Sequence, residues 1–232
     1  MNCFNRISGF QILNLEEVET LMHEIHAQDR DEGKYGYPYV YHCLRARDNV
    51  ELLWQHVPQH LIDAYCRDFP EDLDPETTAK ETALLHDSVE NHPKKYNIDK
   101  LAIAGVASPT LHGVCALTRP INDNRKYDQL VEDVIATGHL PAIVAKMGDN
   151  MDNVHPDRNL LLKASNPKKF VRIKPKYYHA IRRFAEHLEI DMAVVRDLIH
   201  EQATPLPPAS ERLLAPDKTH PKDFRDTRIS PS

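Results

Sequence analysis

Apolar residues recur at helical spacing along most of this chain, with no clear run of the period-two alternation that marks a half-buried strand. Leu15, Val18, Leu21, Met22 and Ile25 line one face of a helix over about 15–29. The segment "DEGKYGYPYVYH" then reads as a loop punctuated by Gly33, Gly36 and Pro38. A second helix is predicted from about Tyr39 to His56, and a short third after Pro58. With only seven glycines in 232 residues as well, an all-β or α/β fold is disfavoured and an all-α bundle is expected.

Start and stop signals place the later helices. Asp74 suits an N-cap, with Pro75 at the first helical position, where its missing N–H costs nothing. That helix is predicted to run to about Asn91, with Pro93 ending it. Further helices are expected near 98–104, 109–117, 124–137 and 141–154, and a long amphipathic one at 177–201 carrying Ile181, Phe184, Leu188, Val194, Val195, Leu198 and Ile199. From about Thr204 the chain turns proline-rich and charged, with little apolar periodicity. The expected division is a helical domain at 1–203 and a tail at 204–232.

Bulk properties exclude several classes of function. A net charge of −6 argues against sequence-independent nucleic-acid binding, which needs clustered positive charge. No apolar run approaches the roughly 18 residues of a membrane span. The N-terminus lacks a signal-peptide pattern, so a cytoplasmic location is expected. The four scattered cysteines (Cys3, Cys43, Cys66 and Cys115) include no CxxC pair and suit a reducing compartment. Whether the chain forms a homo-oligomer stays open.

The stretch "ETALLHDSVENH" at 81–92 carries the chemistry. Ala83, Leu84 and Leu85 mark it as buried, and buried His, Asp and Glu are costly unless they are paired or hold a cation. In a helix, residues four apart share a face, which pairs His86 with Glu90 and Asp87 with Asn91. "AKMGDNMDN" repeats the device, with Asp149 and Asn153 four apart and Lys146 one turn earlier. His42 sits at the start of the second helix. Two imidazoles and two carboxylates from three helices would suit a divalent ion that accepts mixed nitrogen and oxygen ligands, such as Mn²⁺, Fe²⁺ or Zn²⁺.

The order His … His-Asp … Asp on helices resembles that of the HD-domain metal phosphohydrolases. "TALLHDSVEN" is similar to their core motif, "AIVAKMGDNMDN" to the Lys-x-x-Asp-x-x-x-Asn segment, and "YGYPYVYHCLRA" to the Pro-Tyr-x-x-His segment. "LTRPINDNRKYDQLVEDV" resembles a segment of small alarmone hydrolases, and the subgroup most resembled is the RelA/SpoT-type hydrolase domain. The likeness covers about residues 20–160. It implies an HD-type helical bundle in which His42, His86, Asp87 and Asp149 ligate a metal, typically Mn²⁺, with Fe²⁺, Zn²⁺, Co²⁺ or Mg²⁺ as alternatives. It further implies that Glu90 and its neighbour Asn91 handle the attacking water, and that Asn153 contacts the nucleotide. The implied reaction removes the 3′-pyrophosphate from (p)ppGpp, or from its adenosine counterpart.

Lys146 belongs to a matched motif and is expected to meet substrate phosphate; Arg30, Lys34, Arg119, Arg125 and Lys126 are further candidate cations, of which Arg30 and Arg125 are taken as substrate contacts. The family commonly has Glu-Asp where this chain has Glu90-Asn91; an amide cannot act as a base, so Glu90 would do that work alone. Val154-His155 follows Asn153 where a basic residue is usual, and the loop before His42 differs in length. The same metal core would serve a nucleotidase or a dNTP phosphohydrolase, and a catalytically silent nucleotide-binding domain is the rival from another class. His23, His26, His56 and His60 lack motif partners and read as solvated or hydrogen-bonded, while His92 and His155 flank the expected site. Tyr35, Tyr37, Tyr39 and Tyr41 pack the loop or wall a base pocket, Tyr39 being the expected buried member. The basic run "NPKKFVRIKPKYY" reads as solvated surface.

Overall fold

Asn14 and Glu17 close a capping box at the first helix, α1 (Leu15–Ile25): each side chain accepts from the other residue's backbone N–H. That reciprocal pair fixes where the helix begins. The computed structural model describes residues 11–31 and 37–201, and among them the chain is all-α. After α1 come α2 (Val40–Trp54), α3 (Gln59–Asp68), α4 (Pro75–Leu85) and α5 (Ser88–Asn91). Then follow α6 (Ile98–Ile103), α7 (Ser108–Leu117), α8 (Tyr127–Ala136), α9 (Leu140–Val154), α10 (Pro156–Ser165), α11 (Pro167–His187) and α12 (Met192–Leu198). The tail at 204–232 and Lys34 and Tyr35 lie outside the described residues.

Helix α9 is the axis of the bundle. It packs against α2, α4 and α11, and every one of its residues except Lys146 is buried. A helix buried all round must satisfy whatever polar groups it carries, and this one carries Asp149, Asn150, Asp152 and Asn153. Gly148 lets α2 approach closely: a Cβ there would stand 2.7 Å from the Ala46 carbonyl oxygen, which the helix backbones would have to move to relieve. The Asn49 amide donates to the Gly148 carbonyl at 2.8 Å across the same contact. This close crossing is what brings His42 on α2 up to Asp149 on α9.

Two expectations about helices are corrected. The helix from Asp74 stops at Leu85 and restarts at Ser88, leaving His86 and Asp87 at the break. Asp87 lies at φ −103° and ψ 1°, the sparsely populated region between helix and strand where active-site residues often sit. The His86 imidazole takes the Ala83 carbonyl at 2.7 Å, which is the acceptor that an uninterrupted helix would offer to the Asp87 N–H. The helix expected at 177–201 is likewise two elements. It breaks where Glu189 adopts the left-handed φ of 56° and the Ile190 N–H reaches back to Ala185 at 2.9 Å. The basic run at 166–178 is mostly solvent-exposed, as expected, and it is helical: it starts α11, capped by Asn166 with Pro167 at its first position. Helix α10, opened by His155 and Pro156, was not anticipated from the sequence.

His139 caps α9 and ties its entry to a buried polar chain. The Ala142 N–H donates to His139 Nδ1 at 3.2 Å, which places the ring proton on Nε2, facing the Tyr65 hydroxyl at 3.2 Å. Tyr65 in turn donates to Asp72 at 2.8 Å, and Thr78 to the other Asp72 oxygen at 2.8 Å. Burial lowers the pKa of His139 below 6.5. With the folded value depressed, the unfolded chain takes up this proton first, so stability is held above about pH 6.5 and falls as the pH drops through the folded value. The limiting slope for one such group is about 1.4 kcal/mol per pH unit. Urea denaturation at pH 7.5 and pH 5 is expected to lose less stability in His139→Asn than in the wild type, because asparagine still caps the helix but does not titrate.

Candidate metal centre

The break between α4 and α5 and the crossing of α2 with α9 bring four side chains together. Ligand atoms of His42, His86 and Asp87 all lie within 4.8 Å of one another. Asp149 Oδ1 joins them, 3.2 Å from His42 Nε2 and 3.8 Å from His86 Nε2. Asp87 Oδ2 lies 3.2 Å from His86 Nε2. His42, His86 and Asp149 are buried, and Asp87 is one-fifth exposed, which leaves the cluster open on one side.

Each imidazole is held by its outer nitrogen. His86 Nδ1 donates to the Ala83 carbonyl, and His42 Nδ1 donates to Asp152 Oδ2 at 2.7 Å. Both Nε2 atoms therefore face the carboxylates, and that of His86 is buried without a hydrogen-bond partner. Tying the far nitrogen to a carbonyl or carboxylate is how metal-ligating histidines are commonly oriented. An orphaned buried nitrogen beside two carboxylates is what a divalent cation would satisfy, so the residues present fit such an ion.

The electrostatics call for positive charge at the same point. Burial opposes a charge on His86, but Asp87 and then Asp149 outweigh it and hold the pKa at about 9. Burial holds the His42 pKa down at about 4, against a hydrogen bond toward Asp149 and with the Arg158 charge adding to the depression. Burial also works against ionisation of Asp149, yet Lys146 and then His42 keep it well below the usual carboxylate range. Asp87 is lowered in the same way, with His86 prevailing over burial.

The other expected site residues distribute around this cluster. Lys146 Nζ lies 2.7 Å from Asp149 Oδ2, and Asn153 donates to Asp149 Oδ1 at 2.6 Å, so both brace the same carboxylate. Glu90, at the exposed mouth of the cluster, takes a 3.4 Å bond from the Arg119 backbone N–H; partial desolvation, then the Asp87 charge, raises its pKa. A pocket beside it is lined by Arg119, Arg125, Tyr127, Leu130, Val134 and Lys146. Arg125 sits on its rim, held by Asp123 and Asp133. Asn91 faces elsewhere, into a cleft with Gln28, Asp29, Arg30, Asp31 and Tyr39. Arg30 donates there to the Asp29 carbonyl at 2.9 Å. The structure thus separates Arg30 and Asn91 from Arg125 and Lys146.

Two contributors escaped the sequence reading. Asp152, fully buried, accepts from His42, from Arg45 Nε at 2.7 Å and from Arg158, whose guanidinium also reaches Asp31. Only its place among the polar residues of an otherwise apolar helix marked it. Asp152→Asn is expected to weaken divalent-ion binding by about 10- to 100-fold, read by isothermal titration. The second is a role of Tyr39, which the sequence marked only as a loop-packing or pocket-wall residue: its hydroxyl donates to Asp87 Oδ2. Tyr39 is half-buried and Tyr37 is the buried tyrosine, which reverses the expectation. Flanking His155 caps α10 and touches none of the four ligands.

Among the described residues no helix is long and apolar enough to cross a membrane. Compared with protein-family models and with curated proteins, the chain matches none.

Proposed function

We propose that the chain is an HD-type metal phosphohydrolase acting on a phosphorylated nucleotide, with a 3′-pyrophosphorylated alarmone as its substrate. The observation that carries this reading is the convergence of His42, His86, Asp87 and Asp149, both imidazoles turned inward by bonds on their outer nitrogens. The order of these ligands along the chain and their flanking residues favour the same reading.

These four residues would hold the ion, which when bound stabilises phosphoryl charge and acidifies water. Glu90 takes the proton of the water that attacks phosphorus; a carboxylate with a raised pKa is a stronger base than an ordinary one. As the O–P bond forms, the bond to the 3′-oxygen breaks, and that oxygen takes up the proton that Glu90 removed from the water. Lys146, whose charge survives burial because Asp149 sits beside it, meets a phosphate at the pocket floor. Arg119 and Arg125 neutralise further phosphates at the rim, and the Tyr127 ring with Leu130 and Val134 offers an apolar wall to the base.

The test incubates Mn²⁺-loaded protein with ppGpp, pppGpp, ppApp, dNTPs and nucleoside monophosphates and resolves the products by anion exchange. Conversion of ppGpp or ppApp to the 5′-diphosphate with release of pyrophosphate is the expected result. Turnover of dNTPs or monophosphates alone would move the substrate and keep the chemistry. Binding of metal and nucleotide without turnover would make the chain a sensor.

A further inference from the structure

We propose that His26, Asp29 and His92 form a second site for a divalent transition-metal ion, separate from the first. The three residues come from two distant segments: His26 caps the end of α1, Asp29 follows in the next turn, and His92 caps the end of α5. His26 Nδ1 and His92 Nε2 each lie 2.6 Å from the same oxygen, Asp29 Oδ2. Ligand atoms of the three all lie within 4.8 Å of one another. A nitrogen and a carboxylate oxygen this close need positive charge between them. Two ring protons can supply it, or one cation coordinated by all three atoms.

Two observations favour the cation. Two imidazoles converging on one carboxylate oxygen make a nitrogen-rich donor set of the kind that Zn²⁺, Co²⁺ or Mn²⁺ accepts and that Mg²⁺ avoids. The site is also reachable: His26 is fully buried, but Asp29 and His92 are each about a quarter exposed, and Asp29 lines the open cleft with Gln28, Arg30 and Asn91. Tetrahedral metal–ligand bonds of about 2.0–2.2 Å set neighbouring ligand atoms about 3.3 Å apart, so the 2.6 Å contacts would open by about 0.7 Å on loading. Water from the cleft would complete the coordination. The site would pin the end of α1 to the end of α5. It also adjoins Tyr39, whose ring lies 5.1 Å from that of His26 and whose hydroxyl holds Asp87.

The test counts Zn²⁺ bound per full-length chain after equilibrium dialysis, with circular dichroism as the check on folding. The wild type is expected to bind two ions, His86→Ala one, His92→Gln one and the double variant none. Glutamine at position 92 keeps an N–H toward Asp29 but loses the imidazole, so a purely hydrogen-bonded triad predicts no change. A His92→Gln chain that retains the wild-type stoichiometry and affinity overturns the proposal. A second reading comes from thermal melting. Zn²⁺ should raise the melting temperature of His86→Ala and leave the double variant unmoved; equal shifts in both would also overturn it. If His86→Ala binds as much Zn²⁺ as the wild type while His92→Gln loses an ion, this site stands and the first one falls.

Discussion

On the proposed phosphohydrolase reading, Asp149→Ala is expected to cost the chain one equivalent of Mn²⁺, measured by elemental analysis after dialysis, and with it all nucleotide hydrolysis. One carboxylate faces both imidazole Nε2 atoms, accepts from Asn153 and pairs with Lys146. Removing it takes away a ligand and leaves Lys146 with its nearest counter-charge gone. Breaking one side of a buried pair costs about 3–5 kcal/mol, so a lower midpoint in urea should accompany the loss of metal. Asp149→Asn separates the two effects, because an amide still fills the space but ligates poorly. Both variants should lose the ion, and the asparagine variant should melt closer to the wild type. His86→Ala should lose the same equivalent, since its Nε2 faces the carboxylates of both Asp87 and Asp149. Unchanged Mn²⁺ content in both Asp149→Asn and His86→Ala would remove the metal centre from consideration.

The legible parts of this fold were those that repeat locally. The face of α1 follows from five apolar residues at helical spacing, and the start of α4 from Asp74-Pro75, whose side chain caps the helix as expected. The break at His86 was illegible because Ala83, Leu84 and Leu85 carry the apolar pattern straight up to it. The interruption arises from one imidazole turning onto its own backbone and from the Asp87 torsions. The basic half of α11 was missed because charged residues with little apolar periodicity read as surface, although Asn166 and Pro167 are a capping pair of the same kind as Asp74 and Pro75. At the site, the structure brings together His42, His86, Asp87 and Asp149, each singled out by its neighbours in sequence. Asp152 and the His26–Asp29–His92 group were not visible, since each depends on a contact across 63 residues or more.

On the same proposed reading, Glu90→Gln is expected to leave Mn²⁺ binding intact and lower turnover of the 3′-pyrophosphorylated nucleotide by about 10²- to 10⁴-fold, the usual worth of a positioned base. The residue stands one turn after Asp87 on α5 without itself contacting a ligand nitrogen, so the metal should not register the change. Its neighbour is the control. Asn91 faces the other cleft, with Arg30 and Asp29, and carries no group that can take a proton. Asn91→Asp would place a carboxylate there, and if Glu90 works alone this should change turnover far less than the loss of Glu90 does. The pH profile distinguishes a base from a spacer. Partial desolvation and the Asp87 charge put the Glu90 pKa above the ordinary 4.5, so activity should fall on the acid side as that carboxylate takes up a proton. In Glu90→Gln the residual activity should lose that acid limb. A fully active Glu90→Gln enzyme, or a variant with the wild-type acid limb, would show that Glu90 does not take the proton, leaving its contact with the Arg119 backbone as its role.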